Sequence, residues 1–319
     1  MAAPTLFSTP VLHRLRSCER ILIAGAGGGF DLLSGLPLAF ALQERGQQVF
    51  LANLTFTPIN RTGARQVVRG LFEIDADTSG STNYFPEKHL AVWLRDHGYS
   101  DRVYLIRKGG PADLCAAYAR LARDLNLDAV VLVDGGTDLL MTGDEAGLGT
   151  PVEDITSLLA VHALDLPVKL AVCVGFGVDT YHGVCHAHFL ENVAALTKLD
   201  AFHGVFSLLP GVRAVDAWLD AVEWVQHHTP DRESIVCASI TDAARGEYGD
   251  HHSLTRTRPT ELFINPLMSM VWSFDLDAVA TRVRYRDEIA HTTTPFEVSA
   301  AIEAFRDTIP LRPHRTIPA

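Results

Sequence analysis

The stretch Arg20–Gly35, RILIAGAGGGFDLLSG, decides the fold class, because a short apolar run passes through a dense glycine turn into a helical pattern. This order is typical of a βα unit on a parallel sheet. The glycines serve either a tight strand-to-helix turn or the approach of a phosphate to backbone N–H groups, and both interpretations stay open. On the second interpretation, the residues that bind the anionic part of a ligand or cofactor are Gly25, Gly27, Gly28, Gly29 and Asp31.

The rest of the chain alternates between short β-branched runs and longer helical patterns. Several runs are apolar throughout, as expected for strands that are covered on both faces. The predicted strands are 20–26, 48–56, 102–108, 129–136, 168–177, 234–241 and 261–267. The predicted helices are 33–45, 86–97, 111–125, 152–163, 184–196, 212–228 and 276–291. The pattern predicts a Rossmann-like α/β fold, with a mostly parallel sheet and helices on both faces.

The domain organisation predicted from the sequence is one α/β domain over residues 1–307 with an elaborated C-terminal part. Residues 60–85 break the alternation and are interpreted as an insertion or lid. Residues 308–319 contain three prolines and are interpreted as an irregular tail. No apolar run reaches the roughly 18 residues that a membrane span needs, and the N-terminus lacks a signal-peptide pattern. We therefore expect a cytoplasmic protein without a membrane partner.

The charge balance bears on the partners of the chain. Lys and Arg number 27 against 38 Asp and Glu, which gives a formal net charge of −11. Nucleic acid prefers a basic surface, so we expect a small-molecule substrate instead, and leave open whether the chain forms a homo-oligomer. The five cysteines are scattered without a CxxC pair, which argues against a structural zinc knuckle.

Acidic side chains follow four of the predicted strands. In open parallel sheets, ligands bind beyond the carboxyl ends of the strands, where loops and helix N-termini meet. We therefore expect these side chains to share one hollow at the edge of the sheet. In chain order, they are Asp31, Asp134 with Asp138, Asp179, and Asp242.

The segment 134–145, DGGTDLLMTGDE, follows the fourth predicted strand. Gly135 permits close approach of the backbone to a ligand, and Thr137 and Asp138 can hold hydroxyl groups or a metal ion. The alternative is that Asp134 caps the following turn or helix. We favour ligand binding by Gly135 and Thr137.

The segment 175–193, GFGVDTYHGVCHAHFLENV, holds metal-competent groups after the fifth predicted strand. If residues 179–191 are helical, Asp179, His182 and His186 lie within an arc of about 60° on one face. Such a set suits zinc, manganese or iron with one position open for water. The alternative is a capping aspartate with two histidines that hydrogen-bond to loops or solvent.

These patterns lead to a functional hypothesis: hydrolysis or group transfer on a small, polar, phosphorylated or ribosylated metabolite. The expected cofactor is a divalent metal (Zn, Mn, Fe or Mg), and the catalytic candidates are Asp134, Asp138, His182, His186 and Asp242. One alternative is an NAD(P)-dependent oxidoreductase, which Phe30 at the last glycine place and Asn53 at the usual acidic place disfavour. The other is a non-catalytic nucleotide- or metabolite-binding protein.

Five segments also resemble, in order along nearly the whole chain, the bacterial and archaeal domain-of-unknown-function family numbered 1152. This resemblance implies a single family-wide unit and carries no activity. The segments are GAGGGFDLLSGLPL, VDGGTDLLMTGDE, GLGTPVED, LFINPLM and WSFDLDAVATR.

Overall fold

The computed structural model describes residues 9–80 and 83–317. The parts of the predicted domain, lid and tail that fall on residues 1–8, 81–82 and 318–319 lie outside the described residues. Within the described ranges the strands are β1 (Arg20–Gly25), β2 (Gln48–Thr55), β3 (Arg65–Val68), β4 (Leu71–Ile74), β5 (Val103–Arg107), β6 (Ala129–Asp134), β7 (Val168–Cys173), β8 (Phe202–Ser207), β9 (Gly249–Asp250), β10 (Phe263–Ile264) and β11 (Met270–Asp275).

The helices alternate with these strands over most of the chain. Among the described residues, no helix is both long enough and apolar enough to span a membrane. The helices are α1 (Pro10–Leu15), α2 (Asp31–Ser34), α3 (Leu36–Glu44), α4 (Pro86–Asp96), α5 (Pro111–Asp124), α6 (Pro151–His162), α7 (His186–Lys198), α8 (Arg213–His227), α9 (Ile235–Ala244), α10 (Leu276–Arg282), α11 (Arg286–Ile289) and α12 (Pro295–Asp307).

The main sheet has the strand order β3-β4-β5-β2-β1-β6-β7-β11-β8. Its five central strands, β5-β2-β1-β6-β7, are all parallel. The chain runs outward from β1 through β2 to β5 and then returns to β6 on the other side of β1. This order confirms the predicted Rossmann-like α/β class. It places the topological switch point, where such sheets bind ligands, between β1 and β6.

Hydrophobic cores lie on both faces of the sheet, because successive side chains of a strand point to opposite sides. Ile21 and Ile23 of β1 belong to one core with α3, α4 and α8. Leu22 and Ala24 belong to the other core with α5, α6 and α7. Since β1 and β6 are covered on both faces, their apolar sequences carry no alternation.

The antiparallel strands at the two edges were not foreseen. At one edge, β3 and β4 form a hairpin from within the predicted insertion 60–85, and β4 pairs with β5. At the other edge, β11 pairs with both β7 and β8. The described part of residues 60–85 therefore extends the sheet.

One predicted strand was wrong. Residues 234–241 form most of α9, whose N-terminus is capped by Ser234, with its hydroxyl accepting from the Cys237 N–H at 3.1 Å. Val236 and Ile240, one helical turn apart, lie against Gly135 and Gly175. A short apolar run does not distinguish a buried strand from a buried helix by periodicity.

Other boundaries differ from the predictions for local reasons. The predicted helix 33–45 divides into α2 and α3 at Gly35, where a Cβ would stand 2.6 Å from Ile23 of β1. The predicted helix 276–291 divides into α10 and α11, and only two residues of 261–267 form a strand, β10. Helices α1 and α12 were not predicted.

Candidate functional site

Five aspartates meet at the edge of the sheet where β1, β6 and β7 end, and we call them the aspartate cluster. Four are buried, with 3–7 % of their surface exposed, whereas Asp31 is half-buried. One carboxylate oxygen from each of Asp31, Asp134 and Asp154 lies within 4.8 Å of the others. The members are Asp31 at the start of α2, Asp134 at the end of β6, Asp138 in the following turn, Asp154 in the first turn of α6, and Asp179 after β7.

Glycines permit this packing. A Cβ on Gly27 would stand 2.7 Å from Asp154 Oδ2 and 2.9 Å from Asp31 Oδ2. A Cβ on Gly135 would stand 2.8 Å from Asp31 Oδ1. No side chain fits at either place, so the glycine turn after β1 and the turn after β6 bring their backbones directly against the carboxylates.

Backbone amides, not cations, hold four of the five carboxylates. Gly27 N–H donates to Asp31 at 2.7 Å, and the N–H groups of Gly136 and Leu139 donate to Asp134 at 2.6 and 3.1 Å. Further donors are the N–H groups of Thr150 to Asp138 at 2.7 Å and of Thr137 to Asp179 at 2.6 Å. In contrast, Asp154 Oδ1 is buried without a hydrogen-bond partner among the described residues. Within the same residues, none of the five forms a salt bridge.

Burial raises the pKa of every member, and neighbouring carboxylates raise it further in all of them except Asp138. The pKa of Asp31 rises to about 7 and that of Asp179 to about 8. The pKa values of Asp134 and Asp154 rise well above the ordinary range. Burial also raises the pKa of Asp138, although the Thr150 N–H and hydroxyl and the charge of His182 oppose it. Carboxyl groups that exchange protons near neutral pH are suited to general acid–base chemistry.

The structure brings together four of the aspartates that the sequence singled out and adds Asp154, which was missed. Asp154 belongs to the acidic first turn of α6, a place where acids are common because they favour the helix dipole. Its side chain reaches the cluster only because α6 packs beside the end of β1. Thr137 and Gly135 also lie at the cluster, whereas Gly25 is enclosed against Asn53 and the start of α2.

The condition for a shared helical face of Asp179, His182 and His186, a helix over residues 179–191, is not met. Residues Val178–His182 form a 3₁₀ turn, Gly183 takes a left-handed conformation (φ 85°), and α7 begins only at His186. Asp179 turns inward to Thr137, and His182 is exposed. His186 stacks on Phe176, with its Nε2 atom 3.0 Å from Thr180 Oγ1. The three side chains therefore do not share one helical face.

Asp242 does not join the cluster either, which corrects the expectation of a shared hollow for all four strand exits. It lies near the C-terminus of α9, with Oδ2 3.8 Å from Nε2 of His251. It lines a separate cleft of 270 Å³ together with residues of α8. The reason is the helix at 234–241: Ile240 of α9 lies against Gly175, whereas Asp242, two residues further on, lies next to His251 instead.

A cleft of 490 Å³ lies at the carboxyl ends of β2 and β5, lined by residues 55–61, Arg107 and Lys108. We call it the arginine cleft, because Arg61 and Arg107 line it without a salt bridge to any described residue. Arg107 donates to Asn60 Oδ1 at 2.9 Å, and Lys108 donates to Glu153 at 2.8 Å. This cleft was not predicted from the sequence, although three arginines occur within residues 61–69 of an acidic chain.

The glycine turn lies between the arginine cleft and the aspartate cluster. Phe56, which lines the cleft, would contact a Cβ on Gly28 at 2.7 Å. Asn53 is fully buried and donates from Nδ2 to the Gly29 carbonyl and to Glu87, at 2.9 Å each. Asn53 thus braces the glycine turn, at the place where dinucleotide-binding sheets carry a ribose-binding acid.

Comparison with known proteins gives one assignment. No curated protein matches the chain. The sequence model of one family matches residues 64–307, more than half of the chain. The match begins after the glycine turn and includes Asp134, Asp138, Asp154 and Asp179. The chain therefore belongs to the family described as protein of unknown function DUF1152.

Proposed function

We propose that this protein is an enzyme that acts on a small phosphorylated or ribosylated metabolite by hydrolysis or group transfer. One observation carries the proposal: the aspartate cluster and the arginine cleft lie on either side of the glycine turn, at the switch point of the sheet. Cationic groups for an anionic ligand are thus next to carboxyl groups suited to proton transfer.

Contacts connect the two parts into one candidate site. Phe56 lies between the arginine cleft and Gly28, and the ammonium group of Lys108 lies 3.5 Å from the centre of its ring. Lys108 also pairs with Glu153, the residue before Asp154. A ligand with an anionic group in the cleft can therefore extend over the glycine turn towards the aspartates.

The chemistry of each part supports a division of roles. Arg61 and Arg107 carry positive charge that no described carboxylate neutralises, which favours binding of a phosphate group. Asp31 and Asp134 are placed to hold hydroxyl groups or an ion. Asp138 and Asp179, whose pKa values burial raises, are the candidates for general acid and base.

A ligand screen tests the binding part of this proposal. The purified protein is heated with inorganic phosphate, ribose 5-phosphate, AMP, ADP-ribose or NAD⁺, since a ligand that prefers the folded state raises the melting temperature. We expect a sugar phosphate or nucleotide to do so, and Arg107→Gln to weaken its affinity about tenfold or more, because a charge-assisted hydrogen bond is lost. Arg286→Gln, on the exposed surface of α11, is the matched control.

Turnover of the selected ligand, followed by mass spectrometry, tests the catalytic part. Asp138→Asn is expected to lower the rate about 10²- to 10⁴-fold with binding retained. Failure of all five compounds to stabilise the protein contradicts the proposal. Binding without turnover identifies the non-catalytic alternative, and reduction of NAD⁺ in the presence of a substrate identifies the oxidoreductase.

A further inference from the structure

We propose that Asp31, Asp134 and Asp154 together bind one divalent cation of the oxygen-preferring kind, Mg²⁺ or Mn²⁺. The binding itself is inferred from the geometry of these three residues, whereas its part in catalysis rests on the proposed function. The site shares no residue with the Asp179, His182 and His186 set expected from the sequence.

The three carboxylates are close enough to share an ion. One oxygen from each lies within 4.8 Å of the others. Oxygen ligands of a single Mg²⁺ or Ca²⁺ ion lie up to about 4–5 Å apart, because each stands about 2.0–2.6 Å from the metal. The three residues come from α2, β6 and α6, so the tertiary fold, and not one local motif, forms the group.

Asp154 supplies the independent observation. Only 3 % of its surface is exposed, and its Oδ1 atom lacks any hydrogen-bond partner among the described residues. Lys108, which follows β5, pairs with Glu153, the residue before Asp154. A buried carboxylate without a partner is costly, and a cation between Asp154 and its two neighbours removes that cost.

The donor set selects the class of ion. The group contains three carboxylates and no histidine or cysteine, which suits Mg²⁺, Mn²⁺ or Ca²⁺ better than zinc or iron. Gly27 leaves the space between Asp31 and Asp154 free of any side chain. Asp31 and Gly27 are half-buried, so water can complete the coordination shell from their side. Bound there, the ion would polarise an oxygen of a ligand that extends from the arginine cleft.

A titration of Mn²⁺ into the full-length protein, after removal of metal with EDTA, tests the site without any substrate. The free Mn²⁺ is counted by electron paramagnetic resonance, and Mg²⁺ and Ca²⁺ are added as competitors. We expect one Mn²⁺ per chain, displaced by Mg²⁺. Asp154→Asn is expected to weaken binding at least about tenfold, since it removes a direct ligand charge.

Glu153→Gln is the matched control, because it changes the neighbouring acid in the same helical turn and should keep the wild-type Mn²⁺ affinity. If circular dichroism shows that the Asp154→Asn protein does not fold, the Mn²⁺ titration is done on Asp31→Asn instead, since Asp31 is half-buried. Three results would overturn the assignment: no Mn²⁺ binding by the wild-type protein, an unchanged Mn²⁺ affinity in Asp154→Asn, or loss of Mn²⁺ binding in His182→Ala. The ligand screen is repeated in EDTA, where no divalent ion is bound, so that failure of ligand binding and failure of metal binding are observed separately.

Discussion

At the scale of the residue, buried carboxyl groups in two parts of this protein have pKa values that are shifted in opposite directions. Glu145 is as buried as any member of the aspartate cluster, and burial by itself would raise its pKa. However, the Thr142 N–H, the Asn192 amide and the Gly143 N–H donate to it, and together they lower the pKa. Arg312 also pairs with Glu145 at 3.0 Å. No cation of the described residues forms a salt bridge with the aspartate cluster, and the pKa values of its members are raised.

The stability of the folded protein is expected to depend on pH through Asp179. Asp179 has a pKa of about 8 in the folded protein against 3.8 ordinarily, so the folded state binds a proton that the unfolded state releases between these values. The stabilisation of the folded state by this proton on Asp179 is complete below about pH 4 and is lost as the pH rises through about 8. The free energy of unfolding in urea, measured in EDTA, is expected to fall from pH 5 to pH 8, and to fall less in Asp179→Asn.

Asp75→Asn is the control for this pH profile. The Thr78 hydroxyl lowers the pKa of the exposed Asp75. The contribution of Asp75 to the free energy of unfolding therefore changes with pH only at and below the ordinary pKa of an aspartate. The decline between pH 5 and pH 8 should therefore remain in this variant. A profile that rises over the same interval, or an unchanged slope in Asp179→Asn, would contradict the assigned pKa.

At the scale of the element, the C-terminal segment is more than the irregular tail that its prolines indicate. Arg312 binds Asp144 and Glu145 at 2.9 and 3.0 Å and also pairs with Glu191 of α7. Its backbone N–H donates to the Asp144 carbonyl at 2.7 Å. The described part of residues 308–319 thus holds the loop after β6 against α7.

The element-scale prediction follows from these contacts. Arg312→Ala leaves the carboxylate of Glu145 buried without its cation and is expected to lower the free energy of unfolding by about 1–3 kcal/mol. Arg286→Ala removes an exposed pair with Asp287 and an exposed hydrogen bond to the Thr281 carbonyl, and should change the free energy of unfolding by less than about 1 kcal/mol. Urea unfolding of both variants checks the difference. Equal effects would mean that the tail contact does not stabilise the loop.

Two elements show why local patterns mislead near the site. The apolar run 234–241 has the composition of a strand, yet Ser234 caps it as helix α9 and it packs on the sheet edge beside Gly135 and Gly175. The segment 175–193 has the spacing of a ligand-bearing helix, yet Gly183 interrupts it. In both segments, the backbone follows one local residue, the Ser234 cap or the left-handed Gly183, and not the structure that the hydrophobic or polar spacing indicates.

At the scale of the whole molecule, stability is concentrated in the centre of the sheet. Every residue of β6 is buried, as are all but the first of β1, whereas β3 at the edge has no buried residue. Local opening costs most where apolar contacts are densest. The molecule therefore combines a stable switch point with a weaker edge hairpin next to the arginine cleft.

Hydrogen exchange measured by mass spectrometry checks this distribution. Peptides that contain β1 and β6 are expected to exchange slowest, and the β3–β4 hairpin is expected to exchange much earlier. Addition of Mn²⁺ should further protect the turns around Asp31 and Asp134 and leave the hairpin unchanged. Uniform exchange across the sheet would contradict the prediction.

The sequence by itself determined the fold class, the five central strands, and the edge at which Asp31, Asp134, Asp138 and Asp179 gather, because these depend on local apolar runs and on where parallel strands end. Only the tertiary structure decided that Asp154 completes the cluster, that Asp242 stays outside it, and that an arginine cleft lies beside it. Those outcomes depend on how α6, α9 and the edge hairpin pack against the sheet. Packing between segments that are distant in the chain does not produce a periodic pattern in the sequence from which it could be predicted.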